Sequence, residues 1–157
     1  MKKQRLDILV TFDRNCIKPF KVMLWSLLCN NPGKTVRVWL LYSAIPTEEL
    51  EDLREYCTLN SVPMTAIPVD RDLFRYTPIS DRYPQEMYYR LLSPLLLPPS
   101  LEKVLYLDTD LLVINPLCPL WELSLNDRAF AAASHIGVTG VMNGINRVRL
   151  NTQHDYY

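Results

Sequence analysis

The stretch that decides the fold is Lys-Val-Leu-Tyr-Leu-Asp-Thr-Asp-Leu-Leu-Val-Ile, residues 103–114, an apolar run interrupted by two aspartates. The run has no helical period, which is typical of a buried parallel strand. Asp108 and Asp110 would close that strand, and open α/β sheets bind ligands at the carboxyl ends of their strands. If the extended backbone continues, both carboxylates point to the same side and could bind one divalent cation. In the alternative interpretation, one aspartate caps the next turn and the other faces water.

The composition indicates one globular domain without a bulk charge. Of 157 residues, 48% are hydrophobic, and 17 basic residues balance 17 acidic ones, so neither nucleic acid nor a membrane surface is indicated as a partner. The four cysteines form no C-x-x-C pair, and three lie in apolar patterns, which predicts buried reduced thiols. No apolar run reaches membrane-spanning length. These observations predict a cytoplasmic protein without a transmembrane segment.

Strand and helix patterns alternate along the first half of the chain. We predict strands at residues 7–12, 35–43 and 62–69, the last at a sheet edge because it contains two prolines. Helices are predicted at residues 17–30 and from residue 47 onward. This order predicts an α/β fold with a mostly parallel central sheet and helices on both faces.

The second half has weaker patterns around the opening stretch. A helix is predicted at residues 85–97, with an interruption near Pro94. After the aspartate pair we expect a short helix or turn at residues 116–123 and a strand of small residues at 130–134. Beyond His135 the pattern fades into a predicted loop.

Three blocks of sequence carry a resemblance to a known family. They are DILVTFDRN at residues 7–15, YYRLL at 88–92 and KVLYLDTDLLV at 103–113. In this order and spacing they resemble glycosyltransferase family 8, which has the GT-A fold and includes bacterial lipopolysaccharide galactosyl- and glucosyltransferases. The resemblance implies a Rossmann-like, nucleotide-sugar-binding GT-A domain at residues 1–135. It also implies a fold incomplete at the C-terminus, with residues 136–157 a loop leading into a missing part.

The same resemblance implies an enzyme that transfers a hexose from a UDP-sugar donor to a carbohydrate acceptor with retention, using Mn²⁺ or Mg²⁺. Asp108 and Asp110 match the family's metal-binding pair, and Arg90 matches an arginine near the diphosphate. The implied cofactor-binding residues are Thr11, Phe12, Asp13, Asn15, Arg90, Asp108, Thr109 and Asp110. No catalytic nucleophile can be named, and the third metal ligand is expected outside this chain. His135 replaces a carboxylate of galactosyl-transferring relatives, so the donor sugar stays open.

The same residues and motif also have other interpretations. Asp13 and Asn15 could cap the helix at residues 17–30, and Arg90 could be a surface charge. An apolar strand ending in D-x-D also begins the haloacid-dehalogenase-like phosphatases, although that class expects Gly-Thr where this chain has Leu111-Leu112. A third alternative is a non-catalytic UDP-binding fragment, which would self-associate through the face that the missing part leaves uncovered.

Overall fold

The computed structural model describes residues 5–79 and 84–132. The chain forms two compact units, Met1–Glu122 and Leu123–Tyr157. In the first unit, four strands form one sheet: β1 (Arg5–Thr11), β2 (Thr35–Tyr42), β3 (Met64–Pro68) and β4 (Leu105–Tyr106). In the second unit, residues 123–132 include a turn in which the Arg128 N–H donates to the Leu125 carbonyl at 2.9 Å. The predicted domain boundary at residue 135 lies outside the described residues and stays a prediction.

The sheet has the order β3-β2-β1-β4, and its three strand pairs are parallel. The strand β3 pairs with β2 alone among the described strands, as predicted from Pro63 and Pro68, because proline cannot donate to a second neighbour. The predicted α/β class with a mostly parallel sheet is confirmed. The strand β1 pairs with β2 over its whole length, from Arg5 opposite Thr35 to Thr11 opposite Leu41.

Alternate residues of β1 and β2 pack on opposite faces of the sheet. On one face, Ile8 and Val38 pack in a core formed with α1 (Ile17–Asn30) and α2 (Thr47–Leu59). On the other face, a smaller core is formed by residues that include Leu9, Trp39, Leu41, Tyr89 and Leu97. This period of two is the pattern of strands that are buried on both sides. Helical segments therefore cover both faces, as predicted, but the two long helices share one face.

The predicted helix at residues 85–97 is mostly a 3₁₀ helix, Gln85–Leu92, followed by the single turn α3 (Ser93–Leu96). Pro94 explains the change, because its ring clashes with the carbonyl of residue 90 in a continuous α-helix. The Ser93 N–H instead donates to the Arg90 carbonyl, which is the tighter 3₁₀ pattern. The short helix predicted within residues 116–123 is confirmed as α4 (Cys118–Trp121).

Of two strand predictions in the second half, the first is confirmed as a parallel strand but is too long, and the second is wrong where the structure describes it. The opening stretch forms a strand at Leu105–Tyr106 only, and Thr109 and Asp110 lie in a turn. The small-residue strand predicted at 130–134 is not formed at residues 130–132, and 133–134 lie outside the described residues. Alanine is a weak strand former, and Phe130 is exposed rather than packed on a sheet.

Side chains of α1 hold the segment that follows the aspartates. Ser26 Oγ accepts a hydrogen bond from the Val113 N–H at 2.9 Å, and Asn30 Nδ2 donates to the Val113 carbonyl at 2.9 Å. Asn31 Oδ1 accepts from the Leu117 N–H at 2.8 Å. The backbone after the aspartates therefore finds its hydrogen-bond partners in side chains of a helix and its C-terminal cap instead of in the sheet.

A buried carboxylate joins β1 to β2. Asp7 is 3% exposed, and its carboxylate accepts hydrogen bonds from Arg37 Nε at 2.5 Å and Trp39 Nε1 at 3.1 Å. Arg5 Nε donates to the other oxygen at 3.0 Å. These bonds satisfy a charge that would otherwise oppose folding.

The four cysteines are free thiols, as predicted, but their burial differs from the prediction. Cys57 is buried, Cys16 and Cys118 are partly buried, and Cys29 is exposed. Cys29 lies in an apolar helix sequence, yet it falls on the outer side of α1. Within residues 5–79 and 84–132, no helix is both long and apolar enough to cross a membrane.

Candidate functional site

The carboxyl ends of β1 and β4 lie side by side where the strand order reverses. β4 is adjacent to β1 although β2 and β3 follow β1 along the chain. Leu9 pairs with Tyr106, and the Leu107 N–H donates to the Leu9 carbonyl at 3.1 Å. Continuing this register by two residues brings Asp108 level with Thr11. Open α/β sheets bind their ligands at such a switch point.

Tyr106 connects three of the predicted site residues. Its hydroxyl donates to Asp108 Oδ1 at 2.7 Å and lies 3.4 Å from Thr11 Oγ1. The Arg90 guanidinium stacks over its ring, with Cζ 5.1 Å from the ring centroid. Burial raises the pKa of Tyr106, so its hydroxyl is protonated at neutral pH and can donate to the carboxylate. One side chain therefore brings together β1, β4 and the 3₁₀ helix Gln85–Leu92.

The residues after β1 form a compact polar turn. Asp13 Oδ1 accepts from the Asn15 backbone N–H at 2.9 Å, and Asp13 Oδ2 accepts from Asn15 Nδ2 at 2.7 Å. Asp13 thus caps the 3₁₀ helix Arg14–Cys16, which leads directly into α1. The alternative that Asp13 and Asn15 cap the helix at residues 17–30 is wrong, because α1 begins after Cys16 without a side-chain cap. The role in cofactor binding that the resemblance implies for both residues stays a prediction.

Thr11 and Phe12 are buried, like the preceding residues of β1 and unlike the polar turn that follows. The ring of Phe12 packs against Phe20 of α1, with the ring centroids 5.1 Å apart. Its side chain belongs to the core, so Phe12 can offer a ligand only its backbone groups. Thr11 is 9% exposed, and its hydroxyl faces Tyr106.

Cys16 lies among the carboxylates of the site. Burial raises the pKa of its thiol, a hydrogen bond with the Thr109 side chain lowers it, and Asp13 and Asp110 raise it further. Glu86 also contributes to the rise. Because these effects fall off with distance, Cys16 places Thr109 and Asp110 near the polar turn after β1.

The aspartate pair does not have the extended geometry that would align both side chains. Both aspartates are exposed, and Thr109 and Asp110 lie in the turn that follows β4. The donor set nevertheless suits a hard divalent cation, because both side chains offer carboxylate oxygens and Asp108 Oδ2 takes no part in the Tyr106 bond. Within the described ranges, no group of three or more His, Cys, Asp or Glu could hold a metal. Asp108 and Asp110 would therefore supply part of a coordination shell.

The 3₁₀ helix that carries Arg90 also carries a buried carboxylate. Glu86 is 6% exposed, and Ser43, the residue after β2, donates to its Oε1 at 3.0 Å. Gln85 beside it is bonded to Arg71, with Nε2 donating to the Arg71 carbonyl at 2.5 Å. The Tyr89 hydroxyl is buried and has no hydrogen-bond partner in the described part of the chain. These contacts anchor the 3₁₀ helix that carries Arg90.

Sequence reasoning missed Tyr106, Cys16 and Glu86 as parts of this site. Tyr106 could have been found, because it stands two residues before Asp108 and strand residues at i and i+2 share a face. Cys16 and Glu86 gave no such signal. The interactions of Cys16 with Thr109, Asp110 and Glu86 depend on the fold of segments distant in sequence.

Comparison with known proteins places the chain in a family. The family model "Glycosyl transferase family 8" matches residues 7–155. General stress protein A of Bacillus subtilis (strain 168) is 25% identical over 138 residues, which make up 87% of this chain and 48% of that protein. The lipopolysaccharide 1,2-glucosyltransferase of Escherichia coli (strain K12) is 21% identical over 131 residues, or 83% of this chain and 39% of that protein.

Solved structures agree with this family. The galactosyltransferase LgtC, in complex with donor and acceptor sugar analogs, matches 78% of this chain and 44% of its own, with a TM-score of 0.71 and 27% identity. The glycosyltransferase GlyE of Streptococcus pneumoniae TIGR4 matches 86% of this chain and 32% of its own, with a TM-score of 0.61 and 25% identity. The chain spans less than half the length of each of these relatives. The match over residues 7–155 shows that the chain belongs to glycosyl transferase family 8.

Proposed function

We propose that the protein to which this chain belongs transfers a hexose from a UDP-sugar to a carbohydrate acceptor with retention at the anomeric carbon. The observation that carries this proposal is the set of contacts made by Tyr106, which joins Thr11, Arg90 and Asp108 at the switch point of the sheet. A polar group from each of three segments faces the place where this fold binds ligands. Membership of glycosyl transferase family 8 directs the choice of ligand to a nucleotide sugar.

The charges at this edge suit a diphosphate bound together with a cation. Asp108 and Asp110 would hold Mn²⁺ or Mg²⁺, which when bound would offset the negative charge that develops on departing UDP. Arg90 would donate charge-assisted hydrogen bonds to the same diphosphate. Its contact with Tyr106 is made through the ring face, which uses none of its N–H groups.

The turn after β1 would recognise the base and ribose. Uracil offers one N–H donor and two carbonyl acceptors. A carboxylate oxygen of Asp13 would accept from that N–H, and backbone N–H groups of the same turn would donate to a carbonyl. The Asn15 bonds to Asp13 hold the carboxylate in one orientation before the ligand arrives. Thr109 would contribute to the same nucleotide site through its position between the two aspartates.

The names of the relatives guide the choice of the transferred sugar and of its acceptor. One relative is a lipopolysaccharide 1,2-glucosyltransferase, and LgtC is a galactosyltransferase. We therefore propose glucose or galactose as the transferred hexose and a glycan such as lipopolysaccharide as the acceptor. A cytoplasmic setting and self-association through an uncovered face belong to the proposal as expectations. The activity is proposed for the whole protein, because this chain spans less than half of those relatives.

Two alternatives differ in what the chain does with its ligand. A non-catalytic fragment would bind UDP and release no free sugar from a UDP-hexose. A phosphatase would use Asp108 as a nucleophile and release phosphate from a phosphomonoester in the presence of Mg²⁺. The family match favours glycosyl transfer over the phosphatase.

Melting curves with UDP, with Mn²⁺ and with both together test the proposal on the chain as it stands. UDP at a hundredfold over its dissociation constant should stabilise the fold by about 2.7 kcal/mol, and Mn²⁺ should lower the UDP concentration needed. ADP serves as the matched ligand control, since it carries the same diphosphate on a different base. A folded sample whose melting temperature does not respond to UDP with Mn²⁺ would contradict the proposal.

A further inference from the structure

The position of Asp108 is set by a side chain rather than by the sheet. β4 ends at Tyr106, and Asp108 is an exposed residue beyond the strand. An exposed aspartate on irregular backbone has several rotamers open to it. The hydrogen bond from the Tyr106 hydroxyl to Asp108 Oδ1, at 2.7 Å, favours one of them and leaves Oδ2 outside that bond.

Tyr106 is itself held from three directions. Its backbone pairs with Leu9 of β1, so its Cα position is that of a sheet residue. Its hydroxyl lies 3.4 Å from Thr11 Oγ1, and its ring is covered by the Arg90 guanidinium at 5.1 Å. A donor fixed in this way can orient a carboxylate that has no sheet partner of its own.

We propose that Tyr106 is a positioning residue of the cation site, whose hydroxyl holds Oδ1 of Asp108 so that Oδ2 is presented to the cation. The same ring keeps Arg90 next to the carboxylate, which brings the two groups that would contact the diphosphate into one array. This inference rests on the proposed function, because it assumes that Asp108 binds a divalent cation with UDP. Groups that orient metal-binding carboxylates are general features of metal sites.

The test is the variant Tyr106→Phe, which removes the hydroxyl and retains the ring beneath Arg90. The Mn²⁺ dissociation constant is measured in the presence of UDP, by electron paramagnetic resonance of free Mn²⁺. We expect it to rise about tenfold, the lower end of the loss seen when a metal ligand loses its orienting partner. The UDP dissociation constant without metal should stay unchanged. Tyr88→Phe is the matched control, because the Tyr88 hydroxyl donates to the Pro78 carbonyl at 2.8 Å instead of to a site residue.

The outcomes separate the inference from the proposed function. If the wild-type chain binds no Mn²⁺ with UDP, both are overturned. If the wild type binds Mn²⁺ and Tyr106→Phe binds it equally well, the inference alone is overturned. Equal losses with and without metal would also overturn it, since they indicate a general structural role.

A measurement on the wild-type fold keeps the inference testable even if Tyr106→Phe does not fold. The nine tyrosines are labelled with ¹³C at Cζ, and Mg²⁺ is added in the presence of UDP. One tyrosine signal should move, because cation binding changes the acceptor of the Tyr106 hydroxyl. Asp108→Asn, at an exposed position, should abolish that movement. Identical tyrosine spectra with and without Mg²⁺ would overturn the inference.

Discussion

Asp7 supports the frame of the site, and replacing it with asparagine should cost the fold several kilocalories per mole. The carboxylate lies between β1 and β2 with its side chain 4% exposed, beside Arg37 at 24% and Arg5 at 50%. Asparagine retains the shape and one carbonyl acceptor, which can still receive the Trp39 indole N–H. It removes the charge, and it turns an NH₂ group toward one of the two guanidinium groups.

The magnitude follows from the burial of each partner. A buried hydrogen bond to a charged group contributes about 1.5–3 kcal/mol, and this range applies to the Arg37 bond. The exposed Arg5 pair adds about 0–1 kcal/mol. Arg37 can reach water in the variant, which keeps the loss at or below the lower end of the 3–5 kcal/mol or so of a fully buried broken pair. We expect about 3 kcal/mol in all.

Urea unfolding followed by circular dichroism measures this loss. In a chain of this size, about 3 kcal/mol corresponds to a melting temperature lowered by roughly 6–12 °C. Glu51→Gln is the matched control, because its ion pair with Arg54 is exposed on both sides and should contribute less than about 1 kcal/mol. A loss for Asp7→Asn no larger than that of Glu51→Gln would refute the reasoning.

Two further predictions concern the thiols. Burial raises the pKa of Cys57 from 9.0 to about 11, so between these pH values the unfolded chain loses a proton that the folded chain keeps. Stability should therefore be full below pH 9 and fall by up to about 3 kcal/mol toward pH 11, and Cys57→Val should flatten this decline in urea titrations at graded pH. Iodoacetamide at neutral pH should modify the exposed Cys29 before Cys16, whose pKa is raised by burial and neighbouring carboxylates, as read by peptide mass spectrometry. Faster modification of Cys16 would show that its surroundings favour the thiolate.

The sequence predicted well the helices and strands whose apolar residues alone show which side chains are buried. The helix α1 shows an apolar stripe at helical spacing, and its bounds, Ile17–Asn30, are those predicted. The strands β1 and β2 are apolar runs whose alternate residues pack on the two faces of the sheet. Local pattern is sufficient in these cases, because it reports burial directly.

The elements that the sequence did not predict depend on partners elsewhere in the chain. The strand was predicted to close at the aspartate pair, yet it ends at Tyr106. Beyond the pair, the Val113 backbone bonds to Ser26 and Asn30 of α1. The residues before Pro94 form a 3₁₀ helix because of a clash that a periodicity argument does not weigh. Hydrogen bonds across more than eighty residues leave no local pattern.

The candidate site was also predicted only in part. The sequence blocks named Asp108 and Arg90, and the sheet order explains why Asp108 lies near the end of β1. What the blocks did not reveal is that one tyrosine hydroxyl and ring connect them. Nor did they reveal that Phe12 is committed to the core through its contact with Phe20. Such details depend on rotamers, and rotamers depend on packing between distant segments.

The central claim is that the carboxyl ends of β1 and β4 bind UDP through a cation held by the aspartate pair. Calorimetric titration of the chain with UDP, with and without Mn²⁺, tests it most directly, with Asp108→Asn in parallel. We expect Mn²⁺ to tighten UDP binding at least about tenfold, equivalent to about 1.4 kcal/mol, in the wild type and not in the variant. UDP binding that is absent, or that is the same with and without Mn²⁺ in the wild type, would contradict the claim.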